Sequence, residues 1–189
     1  MSEENPCLAF FEKHKDSGGN KVRALQQEPT ALGWEKFPAS CHSPGVVQPE
    51  ESILRLAFQP LHIDPETRTL KPSAVSDVKD KGFSVDRLKY VSREGSIESG
   101  KAHAEKAMTL HGRTPRELRA VSTLEVAAVR SLMVNGLRAF GVYDTAQDDN
   151  MAHADVCQLV PEGQAGRSAR SQLLELCDSC LDILPNGGC

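Results

Sequence analysis

The sequence predicts an α+β fold, a small antiparallel or mixed sheet packed against two to three helices, with a loop-rich N-terminal extension. Three observations lead to it. Short apolar runs, the first of them alternating with a period of two, mark strands at 53–58, 83–88, 137–143 and 152–160. Helical patterns mark 96–111, 122–135 and 168–184. No G-x-x-x-x-G-K-S/T or G-x-G-x-x-G turn occurs, so a doubly wound nucleotide-binding sheet lacks its signature.

Taken in order, residues 1–47 differ from the rest. Cys7 to Lys15 forms a short helix with Leu8 and Phe11 on one face, and Gly18-Gly19-Asn20 breaks it. A second short helix follows at Lys21–Gln27. The proline- and glycine-rich stretch Pro29–Pro49 carries the single tryptophan, Trp34, and Phe37. Apolar rings on a loop dock on a protein body. The segment therefore reads as an ordered extension covering part of the core, or as an arm that orders on a partner, with Trp34 and Phe37 as contacts.

The main body opens on Ile53-Leu54-Arg55-Leu56-Ala57-Phe58, with Leu54, Leu56 and Phe58 on one strand face; Pro60 ends it, and 62–70 reads as a turn with extended flanks. Asp80–Gly82 is a turn before a strand at Phe83–Leu88. Ser96–His111 is helical and Gly112 stops it. Ser122-x-x-Glu125 matches a capping box, with Leu124, Ala128 and Leu132 at i+4 spacing, so a buried helix is expected from Ser122, leaving through Asn135-Gly136. Leu137–Tyr143 and Ala152–Val160, joined by an acidic turn, form an antiparallel hairpin. A last helix spans Ser168–Leu184 with Leu173, Cys177, Cys180 and Leu184 on one face. The expected organisation is an extension (1–47), an α+β core (48–165) and a C-terminal helix packed on it (166–189).

The 39% hydrophobic and 25% charged residues describe an ordinary globular chain. A net charge of −4 argues against a dedicated nucleic-acid binder. Six cysteines at irregular spacing do not make a small disulfide scaffold. The start of the chain lacks the basic and long apolar regions of a secretory signal, and no run approaches the roughly 18 apolar residues that span a membrane. The expectation is a cytoplasmic protein with reduced thiols, no membrane association and no cofactor.

Four groups of residues could carry chemistry. Cys177-x-x-Cys180 lies toward the C-terminal part of its helix beside Asp178 and Asp182, where dipole and charge both oppose a thiolate; core thiols are the better reading than a redox pair or half of a zinc site. His153, Asp155 and Cys157 share one strand face, which suits a nucleophile with its base or a metal, or a solvated edge strand with Ala152, Ala154 and Val156 inward. Arg113, Arg116 and Arg119 recur at i, i+3 and i+6 below His111: a solvated helix face, or a patch for phosphate or an acidic partner. Arg55, with His62, Ser73 and Glu125, offers the residue types of an ADP-ribosyl transferase at unspecific spacing.

The runs Ile53-Leu54-Arg55-Leu56, His62-Ile63-Asp64-Pro65-Glu66-Thr67, Leu70-Lys71-Pro72-Ser73-Ala74-Val75 and Phe83-Ser84-Val85-Asp86-Arg87, with Gly136–Asp144 and Asp149-Asn150-Met151-Ala152-His153-Ala154 later, resemble a group of small uncharacterised bacterial proteins. Met151 stands where that group has proline, and Val75 where phenylalanine is common. The resemblance covers residues 50–160. It implies a bacterial, cytoplasmic origin and no known reaction, and it directs attention to Arg55, His62, Ser84, Asp86, Arg87 and His153.

The functional expectation is a non-enzymatic protein-binding or regulatory accessory protein of a bacterial system, such as a defence or toxin-like one. The alternatives are a small transferase or hydrolase using Arg55, His62, Ser84 and His153, and an accessory subunit contacting nucleic acid through Arg113, Arg116 and Arg119.

Overall fold

The computed structural model describes residues 5–111 and 115–185. A six-stranded antiparallel sheet runs in the order β6-β7-β2-β1-β3-β8, from β1 (Ser52–Gln59), β2 (Phe83–Arg87), β3 (Glu117–Glu125), β6 (Phe140–Tyr143), β7 (His153–Gln158) and β8 (Leu181–Ile183). Among the described residues five α-helices pack around it: α1 (Pro6–Lys13), α2 (Lys21–Leu25), α3 (Arg93–His111), α4 (Val126–Ser131) and α5 (Gln164–Ser179). A small hairpin, β4 (Met133–Val134) and β5 (Leu137–Arg138), stands apart from the sheet. The α+β architecture expected from the sequence is the one observed, and β6 and β7 pair antiparallel as expected.

Alternation of side chains across the strands divides the packing in two. One face carries Ile53, Ala57, Phe83, Val85, Leu124, Val142 and Val156 into the main core, closed by α4, α5 and the 3₁₀ turn Pro72–Lys79. The other face has two separate covers. Leu54, Phe58 and Val121 pack under α3, while Cys157 and Tyr143 pack under the extension with Phe10, Phe11, Val22, Leu25 and Trp34. Between these covers the outward residue Ser84 of β2 is exposed.

Three expectations are corrected. Ser122–Glu125 is not a capping box: it ends β3, and the helix begins only at Val126. β3 pairs with β1 along its whole length and with β8 on its other side, so its ladder outweighs the local helical pattern. Ser122 Oγ donates to the Cys177 carbonyl at 2.8 Å instead of capping a helix. Asn135-Gly136, with φ of 53° and 76°, is the left-handed turn of the β4–β5 hairpin rather than a helix exit. The final helix stops at Ser179, and Leu181–Ile183 becomes the edge strand β8.

The extension is tied down by placed polar contacts. Glu35 receives Arg130 Nε at 2.9 Å, Arg138 at 2.6 Å and the Val142 N–H at 2.7 Å. Arg87, fully buried, meets Glu51 at 2.8 Å and Asp144 at 3.3 Å, and donates to the carbonyls of Gly45 and Val46. Burial opposes both charges of the Arg87–Glu51 pair. The pairing outweighs it, holding the Glu51 carboxyl low and the Arg87 guanidinium high.

Candidate functional site

β7 does present His153, Asp155 and Cys157 on one face, but that face looks into the extension, not into solvent. β7 is an inner strand between β6 and β2, so the reading of an edge strand with one solvated face is corrected. Asp155 is buried and accepts from Lys21 Nζ of α2 at 2.7 Å. Burial works against its charge, yet Lys21 and His153 outweigh it and hold the carboxyl below its ordinary range. Gly82 crosses beside it at φ +96°; a Cβ there would lie 2.7 Å from Asp155 Cγ, so both the backbone conformation and the close approach require glycine. His153 Nδ1 sits 2.9 Å from Thr145 Oγ1, and its Nε2 lies 4.0 Å from Asp155 Oδ1. Cys157 is buried with its thiol pushed far up by burial, and it serves the aromatic cluster rather than a nucleophile's role. A cavity of about 460 Å³, lined among others by Lys21, His42, Thr145, His153 and Asp155, opens between the extension and the β6–β7 loop.

The four residues of the enzymatic alternative are not brought to one place. Ser84 and His153 lie on the face toward the extension, and Ser84 Oγ is 3.5 Å from Asp155 rather than on the histidine. Arg55 lies on the opposite face, beside Ile53 and Ala57, with its guanidinium 4.2 Å from the centre of the Phe83 ring. His62 packs on Phe58 at the end of β1, near Arg55 and Arg116.

Cys177 and Cys180 do not share a face. Cys177 is buried, its thiol pushed up to about 12 by burial, whereas Cys180 follows the helix end and is exposed. The reading of two core thiols therefore holds for Cys177 alone. Among the described residues no group of three or more His, Cys, Asp or Glu side chains is placed to hold a metal ion.

No family model, no curated protein and no solved structure matches this chain.

The residues expected from the sequence to meet a partner lie in different settings. Trp34 is 8% exposed, 5.5 Å from the Phe10 ring, and so is occupied within the chain. Phe37 is half-buried at the margin of the same cluster, under Lys36. Arg116 and Arg119 do not recur along a helix: Arg116 precedes β3 and lies over the Phe58 ring, and Arg119 is within the strand. Arg113 lies outside the described residues.

The exposed apolar surface is elsewhere. Leu137 is 62% exposed and Met133 46%, both on the β4–β5 hairpin. That hairpin is held firmly: Val134 is buried, Gln172 of α5 donates to the Met133 carbonyl, and Arg138 binds Glu35. Leu137 and Leu32 of the extension form the lip of an apolar cavity of about 180 Å³, with Pro29, Leu159 and Pro161 behind them. Nothing in the strand pattern marked this patch, because Leu137 reads as an ordinary core position of a strand.

Proposed function

We propose that this protein works by binding another protein, as a non-enzymatic accessory or regulatory component, through the surface made by Leu32 and Leu137. The observation that carries the reading is Leu137, the most exposed large apolar side chain among the described residues, standing on a hairpin clamped from both sides. An apolar residue held rigidly in solvent and beside an apolar cavity is the anatomy of an interface anchor. The 180 Å³ cavity is smaller than the roughly 300–1,000 Å³ of a small-molecule site and suits a single apolar side chain of a partner. The resemblance of residues 50–160 to small bacterial proteins supports a bacterial, cytoplasmic setting, with a defence or toxin-like system as the working context. No helix among the described residues is long and apolar enough to cross a membrane.

The test compares two substitutions of exposed apolar side chains. Leu137→Glu should leave stability within about 0.5 kcal/mol, as for surface changes generally, while abolishing recovery of a protein partner from the native host. Met151→Glu, at a comparably exposed position outside the patch, should leave recovery intact. Equal recovery by both variants would reject the surface.

A further inference from the structure

The cavity of about 460 Å³ between the extension and the β6–β7 loop differs from the one beside Leu137 in size and in lining, and the two share no lining residue. It falls within the roughly 300–1,000 Å³ of small-molecule sites. Its walls are tied to each other: Ser40 Oγ donates to the Ala146 carbonyl, and the Ala39 N–H donates to the Asp144 carbonyl at 3.2 Å.

Three polar side chains that line it have bonding capacity left over. The Thr145 carbonyl, which can only accept, lies 3.0 Å from His153 Nδ1. Nδ1 therefore carries the ring proton, and Nε2 of the neutral ring is an acceptor. Across from it, at 4.0 Å, stands a second acceptor, Asp155 Oδ1. An ionised carboxylate has about four lone-pair sites, of which Lys21, Ser84 and Thr145 engage three. The two acceptors are too far apart to share a proton directly, yet close enough for one donor group to reach both. Their side chains are only 13% and 4% exposed, where an unmatched acceptor is costly.

Lys21 has the opposite need. An ammonium carries three N–H groups. Among the described residues Lys21 makes one hydrogen bond, to Asp155 Oδ2 at 2.7 Å, with the Phe11 ring centre 5.5 Å away. Its remaining N–H groups lie beside the unmatched acceptors.

A ligand of one sign meets a conflict here. An anion drawn to Lys21 encounters the Asp155 carboxylate, and a cation drawn to Asp155 encounters the Lys21 ammonium. The rim repeats the alternation, with Lys15 next to Asp16 in the chain and His42 3.8 Å from Asp148. A molecule whose two opposite charges are one carbon apart escapes the conflict, because each charge finds its own partner in the pair.

We propose that this cavity binds a free α-amino acid, its ammonium on His153 Nε2 and Asp155 Oδ1 and its carboxylate on Lys21. Each contact is a charge-assisted hydrogen bond. The extension supplies Lys21 and the sheet supplies His153 and Asp155, so neither forms the site without the other. The site shares nothing with the Leu32 and Leu137 surface and stands or falls independently of it.

The experiment titrates the full chain with each of the common L-α-amino acids in turn, following the His153 ring nitrogens by NMR and the heat of binding by calorimetry. At least one amino acid should move the Nε2 signal saturably. Its N-acetyl and carboxamide derivatives, which each lack one of the two charges, should bind at least tenfold more weakly, on the order of one lost charged hydrogen bond. His153→Phe, which keeps a ring but removes the acceptor, should weaken binding by a similar factor, and the derivatives on the wild-type chain decide the matter where that variant fails to fold. Unmoved His153 resonances with every amino acid, or a blocked derivative that binds as tightly as its parent, would overturn the proposal.

Discussion

Two regions around the sheet are held by different physics. Under α5 and residues 72–79 the contacts are hydrocarbon: Leu173, Val78, Phe83, Phe140 and Val156 are all buried against one another. Under the extension an aromatic cluster is joined by charges set in fixed places: Lys21 on Asp155, Glu35 on Arg130 and Arg138, and nearby Glu51 on Arg87. Hydrocarbon packing is non-directional and accepts any filling of the right volume. Ion pairs away from water work only in one seating, because a displaced partner leaves a desolvated charge behind. The α5 side therefore supplies cohesion, and the extension side fixes how residues 5–51 lie on the sheet.

The sharpest way to break this contrast is Arg87→Met. It retains volume and removes the cation that meets both Glu51 and Asp144, both of them buried carboxylates. Burial already raises the Asp144 carboxyl above its usual range, so the loss of Arg87 leaves it poorly compensated. Urea unfolding should show a loss of about 3–5 kcal/mol. A loss under about 1 kcal/mol, the scale of a surface pair, would mean that these charges do not anchor the extension.

A smaller effect sharpens it further. Asp155→Asn keeps shape and removes charge, and should cost about 1.5–3 kcal/mol, the worth of a charged hydrogen bond. Leu173→Met, equally conservative on the other face, should cost less than about 1.5 kcal/mol. The double variant Lys21→Met, Asp155→Leu should recover much of what Asp155→Asn loses, since exchanging a buried pair for hydrocarbon is close to neutral. Equal costs at the two faces would erase the distinction.

A further expected effect is a pH dependence. His62 titrates near 4 in the folded chain and near about 6.5 when unfolded. The unfolded state therefore binds the proton first, and stability is complete above about pH 6.5 and falls as the pH drops toward 4. His62→Gln should flatten the unfolding free energy over that interval. The depressed carboxyls of Glu51 and Asp155 act lower, with stability lost as the pH falls below the ordinary carboxylate range of about 4. An unaltered slope in the His62 variant would place the sensitivity elsewhere.

Part of the fold was legible locally. Short apolar runs placed β1, β2, β6 and β7, glycine and asparagine placed the breaks, and the aromatic residues of the extension indicated that it docks. Of the site, His153, Asp155 and Cys157 were correctly set on one face, but their partner Lys21 carries no mark that separates it from other lysines. Ser122–Glu125 shows why local signals fail: a capping pattern and an inner strand use the same residues, and only pairing with β1 and β8 selects the strand.

The amino-acid order by itself settled which segments are apolar, where the chain turns, and that hydrocarbon could organise a mixed α and β layer. These properties depend on neighbours a few residues apart. Tertiary structure alone decided that Leu137 stays in solvent, that Arg55 of β1 donates to the Ser84 carbonyl of β2, and that Lys21 meets Asp155 across 134 positions of chain. Such outcomes are set by which distant groups share the same dehydrated space, and electrostatic and burial energies belong to that arrangement rather than to any residue taken singly.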